Sequence, residues 1–351
     1  MLQAAPRPIF YRAAFSLLAF FLLAQLPFPG AAARAATGGE AGQSAKNMDA
    51  SWKPLLARLK QDGVAGPDIE AWFAELEPYS QRPMGLKARS LFRAKFMPAP
   101  FAFLKKPAKP GGKATPRYLD VMTTESIRKS AAFIQTHKDL FEFAALEYQV
   151  EKEIVVALFM TETRLGEYVG SERALWNLAS MAVSTTPEQL DEYLGQLPVN
   201  TAERSAWVRK TVQARSDWAY KELVALIDYC RKNGHDPMAI TGSPFGAIGL
   251  CQFMPTNIPA YAADGNKDGR IDLFDVDDAV CSIANFIRKH GWKNSLGREE
   301  RRKVIYRYNH SYVYADTVLA IADGVKAMSG TPPAAGGKVP AGGSGKNKSG
   351  K

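Results

Sequence analysis

The sequence predicts a mainly α fold built around at least one sizeable apolar core. Three observations carry that prediction. The 351 residues are 46% hydrophobic and 11% aromatic, which is too apolar for a chain that cannot offset its ordering entropy by burial. Between an N-terminal leader and a C-terminal tail, apolar residues recur in long runs at the 3.6-residue period of a helix. Alternating β-branched stretches, the mark of half-buried strands, are few, and no internal repeat is visible.

Taken in order, residues 1–36 read as a secretory signal peptide. Arg7 and Arg12 give a positive start, Ala13 to Leu26 is an almost unbroken apolar run, and Ala33-Arg34-Ala35 offers a cleavage site between small residues. A run of about 14 residues falls short of the roughly 20 that a spanning helix needs. No cysteine follows it to carry an N-terminal lipid. The expectation is export to the periplasm, with no transmembrane segment once the signal is removed. An N-terminal helical region, 37–97, follows; within it 51–77 predicts two short helices broken between Gly63 and Pro67. Residues 98–117 are a Pro/Lys-rich linker, because Pro98, Pro100, Pro107, Pro110 and Pro116 with Gly111 and Gly112 prevent helix propagation. The body is 118–328, with helices over 124–148, 151–166, 185–196, 202–232, 276–290 and 312–328. The third of these starts after Thr185-Thr186-Pro187, a hydroxyl cap followed by a first-turn proline. Residues 329–351, rich in Gly, Pro, Ala, Ser and Lys, predict a disordered basic tail.

The formal charge of +10 first points to a polyanion partner. Its distribution removes that reading. Arg7, Arg12 and Arg34 in the leader, Lys105, Lys106, Lys109, Lys113 and Arg117 around the linker, and Lys338, Lys346, Lys348 and Lys351 in the tail stand without acidic neighbours. The remaining body is close to neutral and has no basic patch interleaved with aromatics, so no nucleic-acid partner is expected. Cys230, Cys251 and Cys281 allow at most one internal disulfide and show no close metal-type pair; they read as buried thiols or one unassigned bridge.

Two segments depart from a purely structural pattern. Glu151 to Gly166 is apolar nearly all round, which places its helix inside the core. Glu162 interrupts it, four residues after Leu158 and three after Phe159, so a carboxyl projects from the apolar side near a helix end that Gly166 terminates. Burial disfavours the charged form, and a carboxyl whose pKa is raised in this way can act as a general acid at neutral pH. The alternative is a carboxylate paired with Arg164 or Arg173. The second segment runs from Asp264 to Asp275. Oxygen donors at Asp264, Asn266, Asp268, Arg270 through its carbonyl and Asp275, with Gly269 at the sixth position and Ile271 at the eighth, reproduce an EF-hand-like calcium loop. Asp275 stands where glutamate is usual, a shorter arm. A single loop in an exported protein predicts a structural calcium ion rather than a sensor.

With Glu162-Thr163-Arg164-Leu165-Gly166, then Gly246-Ala247-Ile248-Gly249-Leu250-Cys251-Gln252-Phe253-Met254-Pro255, the calcium-type loop and Arg307-Tyr308-Asn309-His310-Ser311 in this order, the chain resembles the membrane-bound lytic murein transglycosylase B family, glycoside hydrolase family 103. The resemblance covers roughly 49–97 and 118–325. It implies a lysozyme-like catalytic core over 118–328 with a helical N-terminal extension. It also implies cleavage of the β-1,4 bond between N-acetylmuramic acid and N-acetylglucosamine in peptidoglycan, forming a 1,6-anhydromuramoyl end without water. By resemblance, Glu162 protonates the glycosidic oxygen and then, as carboxylate, withdraws the C6 hydroxyl proton. Ser243 hydrogen-bonds near the cleaved sugar, Gln252 lies close to the acid, Phe253 walls the site, Tyr308 and Asn309 hold Glu162 and the acetamido group, and Arg215 lies near the glycan cleft. Read without the resemblance, Ser243 and Gln252 are turn and core residues.

The chain also departs from the family pattern. Gly291-Trp292 and Arg307 are separated by only fourteen residues, so the family's β-rich insertion is absent and the fold is expected to be more purely helical. Residues 184–214 look like an added helical segment. Phe286 replaces an aromatic hydroxyl, and Cys251 stands where glycine is usual. Single-carboxyl chemistry contrasts with an ordinary glycosidase, whose two carboxyls sit about 5–5.5 Å or 6.5–9.5 Å apart; the only other acid nearby in sequence is Glu167. The competing functions are a hydrolytic muramidase and a non-catalytic peptidoglycan-binding protein.

Overall fold

The structure is a computed structural model that describes residues 48–97, 118 and 120–330. The signal peptide, the Pro/Lys-rich linker and nearly all of the basic tail lie outside the described residues. Thirteen α-helices are described: α1 (Lys53–Gln61), α2 (Pro67–Glu75), α3 (Arg82–Phe96), α4 (Thr124–Thr136), α5 (Lys138–Tyr148), α6 (Lys152–Thr163), α7 (Ala174–Val183), α8 (Asp191–Leu194), α9 (Ala202–Asn233), α10 (Ile258–Tyr261), α11 (Val276–Lys289), α12 (Arg298–Tyr308) and α13 (Tyr312–Met328). Two residue pairs, β1 (Glu172–Arg173) and β2 (Thr241–Gly242), form the one antiparallel ladder described, Glu172 opposite Gly242 and Arg173 opposite Thr241.

The described residues divide into two compact units. Among the described residues, 48–97 and 169–260 pack as one unit, and 118, 120–168 and 261–330 as the other. The segment expected as a separate N-terminal extension is therefore built into a unit with the middle of the chain. The reason is apolar complementarity: α1 packs on α7, and α3 on α7, α8 and α9. Trp52, Leu59, Phe73, Met84 and Phe92 are fully buried there, each contributing about 1.5–3 kcal/mol. The Trp52 indole donates to the Glu77 carbonyl at 3.1 Å, and its ring meets Phe73 edge-on at 5.4 Å. The long α9 starts with the Thr201 hydroxyl accepting from the Arg204 amide and ends at Gly234 in the left-handed region.

In the second unit α6 lies against α4, α11 and α13, and α11 against α5. From Ile154 to Met160 every residue of α6 is buried, as its unbroken apolar sequence predicts. The predicted single helix over 124–148 is instead α4 and α5, turning at His137, whose backbone leaves the helical region. Packing outweighs propensity here, because the turn sets Phe133 edge-on to both Phe141, at 6.1 Å, and Phe159, at 5.4 Å. Trp292, in the short segment before α12, is buried and donates its indole N–H to Glu151 at 2.7 Å; Arg301 binds the other oxygen of Glu151, also at 2.7 Å. Helix α3 falls within the expected helical region 37–97 without having been delimited there, and α7 and α12 are additions to the expected set. In α7 nearly every position is buried, so no amphipathic stripe shows, while α12 is so charged that its buried Arg302, Val304 and Ile305 are masked. Over 185–196, Pro187–Leu190 is a 3₁₀ turn, entered through a Thr186–Gln189 capping box and followed by the single turn of α8.

Candidate active site

Glu162 lies in the last turn of α6. The helix ends one residue later, at Thr163 and three residues before the predicted stop at Gly166, because Arg164 and Leu165 already take left-handed conformations with φ of 54° and 62°. The Arg164 amide donates to the Met160 carbonyl, and the Gly166 amide to the Thr163 carbonyl and hydroxyl. The pairings that would have made Glu162 structural are taken elsewhere: Arg164 binds Asp120 at 2.7 Å and Arg173 binds Glu77 at 2.9 Å. Glu167 is exposed and held by Lys129 at 2.5 Å.

The group that reaches Glu162 is Tyr314, whose hydroxyl donates to Glu162 Oε1. Burial pushes the Glu162 carboxyl up to about 7, and the tyrosine hydrogen bond opposes that rise by favouring the carboxylate. The Tyr314 phenol, buried and beside Glu162, is itself raised well above its ordinary value. Rings continue on both sides of it. Tyr118 meets Tyr314 edge-on at 6.1 Å, Tyr308 stacks nearly parallel to it at 6.5 Å, and Phe286 lies 4.8 Å beyond Tyr308. His290 stacks on Phe286 at 4.1 Å, with Tyr261 at 4.7 Å from the same ring. Burial, followed by the Arg307 charge, lowers the His290 pKa. Asn309 is buried where α12 ends, and its side-chain oxygen has no hydrogen-bond partner, which leaves an acceptor beside the ring row to be satisfied.

Tyr314 and Tyr118 were missed from sequence. Tyr314 falls on the apolar stripe of α13 with Val318 and Ile321, so its ring reads as core; a hydroxyl on a stripe facing the helix that carries a lone acid was the available signal.

Ser243, Gln252, Phe253 and Arg215 belong to the other unit. The Ser243 side-chain oxygen accepts from the Phe245 and Ala247 amides at 3.3 and 3.0 Å, organising the turn around Gly246. Gly246 has φ +86°, and a Cβ there would stand 2.5 Å from Leu178 Cδ2, so only glycine fits. Gln252 is left-handed, with φ 50°, and its amide donates to the Gly249 and Val169 carbonyls at 2.9 and 3.1 Å. Phe253, assigned by resemblance to the wall of the site, is 2% exposed, and its backbone pairs with that of Ile248. Arg215 is half-buried, its guanidinium 5.9 Å from the Trp218 ring. It lies near the buried Lys87, whose ammonium is pushed down to about 7 by burial and by the Arg215 charge. The three cysteines are buried free thiols.

The Asp264–Asp275 loop is folded over its own side-chain oxygens. Asp264 accepts from the Asp268 and Gly269 amides, Asn266 from the Asp268 amide, and Asp268 from the Arg270 amide. Gly269 takes φ +86° at the turn. The hard oxygens of Asp264, Asn266 and Asp268 fit a calcium ion in kind. Asp275 differs from the expectation: one of its oxygens caps α11 by accepting from the Asp277 and Asp278 amides. Among the described residues no three carboxylates, histidines or cysteines are gathered as a metal-holding group. Asp278, unanticipated, ties the loop ends together by accepting from Gly265 and Asp272 at 2.7 and 2.6 Å.

The helical fold is that of the lysozyme-like lytic transglycosylases. The chain belongs to the family described as Transglycosylase SLT domain, which matches residues 47–300. It is 29% identical over 194 residues to membrane-bound lytic murein transglycosylase B of Escherichia coli (strain K12), a match covering 55% of this chain and 46% of that protein. The chain thus spans about half the length of that curated relative. Among solved structures it resembles soluble lytic transglycosylase SltB1 from Pseudomonas aeruginosa, with TM-score 0.58 and 22% identity over 80% of this chain and 99% of that one. It also resembles Escherichia coli lytic transglycosylase Slt35 in complex with calcium, with TM-score 0.55 and 19% identity over 80% and 94% of the two chains. No described helix is long and apolar enough to cross a membrane.

Proposed function

We propose that the chain is a lytic transglycosylase that cleaves the β-1,4 bond between N-acetylmuramic acid and N-acetylglucosamine in peptidoglycan, with Glu162 as acid and then base. The observation that carries this reading is the Glu162 carboxyl, held by Tyr314 on a buried helix end and raised to about 7, so that both protonation states are accessible at neutral pH. Family membership supports the reaction class. In the first step the Glu162 proton passes to the glycosidic oxygen as the C1–O bond breaks, and the electron pair leaves with that oxygen. The substrate acetamido group stabilises the cationic sugar. In the second step the Glu162 carboxylate takes the C6 hydroxyl proton and O6 bonds to C1, so no water is consumed. Tyr308 and the unsatisfied Asn309 oxygen are assigned to the acetamido group, whose N–H suits such an acceptor. Ser243, Gln252 and Arg215 are assigned to glycan binding, with Ser243 and Gln252 acting through the turn they organise.

Calcium is assigned a structural role on Asp264, Asn266, Asp268 and the Arg270 carbonyl, with Asp275 contributing no more than its second oxygen. A periplasmic location fits a murein substrate. The test is clearance of purified sacculi by the wild type and by Glu162→Gln: the variant is expected to bind sacculi and release nothing. Release at the wild-type rate overturns the assignment of Glu162, and wild-type inactivity would favour a peptidoglycan-binding protein.

A further inference from the structure

Tyr314 donates its hydroxyl to one named oxygen of Glu162, Oε1, and among the described residues no other ionisable side chain bears on that carboxyl. An oxygen that accepts a phenolic hydrogen bond is the poorer site for the acid proton, since the bond already stabilises negative charge there and leaves the other oxygen the more basic. We infer that Tyr314 is a positioning residue that confines proton traffic to Glu162 Oε2, so that a single oxygen both gives the proton to the leaving sugar and takes the C6 proton back. The inference rests on the transglycosylase reading above. In the first step the Oε2–H bond breaks as the proton moves to the glycosidic oxygen and the C1–O bond cleaves. In the second, Oε2 binds the C6 hydroxyl proton while the O6–C1 bond forms. Throughout, Oε1 is engaged by the Tyr314 hydroxyl, which lowers its basicity toward a water that would attack C1 and so favours the anhydro product over hydrolysis.

Packing holds the device rigid. Tyr314 is 1% exposed and sits between the edge-on Tyr118 and the stacked Tyr308, on the helix that packs against α6. The titratable groups facing the pair are these two tyrosines; Arg164, next but one to Glu162, is engaged by Asp120.

The experiment is Tyr314→Phe, assayed on sacculi across pH with the released fragments resolved into anhydro and reducing ends. Loss of the hydrogen bond that favours the carboxylate should move the basic limb of kcat to higher pH by about one pH unit. KM should be little changed, and the share of reducing ends should rise severalfold. Tyr312→Phe, on the same helix but stacked on Tyr306, should leave limb and product ratio as in the wild type. An unmoved limb with an unchanged product ratio in Tyr314→Phe overturns the inference even when Glu162→Gln is dead. Activity surviving in Glu162→Gln overturns the underlying reading instead. If Tyr314→Phe fails to fold, the infrared difference between wild type and Glu162→Gln at acidic pH decides. A protonated-carboxyl stretch lowered by hydrogen bonding supports the inference, and one at the free-acid position contradicts it.

Discussion

Replacing Glu162 by glutamine should stabilise the fold above neutral pH while destroying activity. The wild-type carboxyl is raised from 4.5 to about 7 by burial, so the folded state holds its proton more tightly than the unfolded state. The sign follows directly: this group's contribution is fully present below pH 4.5 and is lost as pH rises to about 7. A rise of that size corresponds to about 3 kcal/mol of cost for carrying the charge in the folded protein at pH 8. Glutamine is close in shape, still accepts from Tyr314, and carries no charge at any pH. The assay is urea unfolding of both proteins between pH 4 and 8.5. The two should agree within about 1 kcal/mol near pH 4, and the variant should be more stable by about 2–3 kcal/mol at pH 8. Parallel pH profiles, or a wild type that gains on the variant as pH rises, would refute the argument that burial dominates at Glu162.

Three further outcomes follow from the same geometry. Glu151→Ala removes the shared acceptor of Trp292 and Arg301, whose ion pair has side chains only 17% and 13% exposed; it should cost about 3–5 kcal/mol in denaturant unfolding, and a loss below 1 kcal/mol would contradict that network. Chelation of calcium should lower the melting temperature by several degrees, and Asp264→Ala should remove the difference between chelated and calcium-loaded samples; an unchanged melting curve in excess chelator would exclude a bound ion. Cys230, Cys251 and Cys281 are buried free thiols, with burial pushing Cys230 and Cys281 up to about 12, so a thiol reagent should label none of them until denaturant is added.

The sequence was most legible where one signal dominated. Helices α1, α2, α6, α9, α11 and α13 appear at the predicted places because a periodic or wholly apolar run coincides with clear stops such as Gly63 and Gly234. It was least legible where tertiary packing decides, as in the turn at His137 and in the joining of 48–97 with 169–260. No local pattern records which distant helix α3 will meet. Glu162 stood out because a carboxyl in an apolar helix is costly unless used. Tyr314 did not, because a tyrosine on an apolar stripe is ordinary and only the fold shows what its hydroxyl touches. The resemblance assigns Phe253 to the wall of the site, and its near-complete burial is a feature of the folded turn that no local pattern records. Asp275 likewise occupied the expected loop position, but the start of α11 claims one of its oxygens.

One carboxyl, Glu162, is assigned both proton transfers that break the glycan strand without water. Mass spectrometry of the fragments released from purified sacculi decides between this and hydrolysis. The expected fragments are muropeptides ending in 1,6-anhydromuramic acid, each lighter by one water than the hydrolysis product, and none from Glu162→Gln. Fragments with reducing ends as the main product, or the same anhydro fragments from Glu162→Gln, would contradict it.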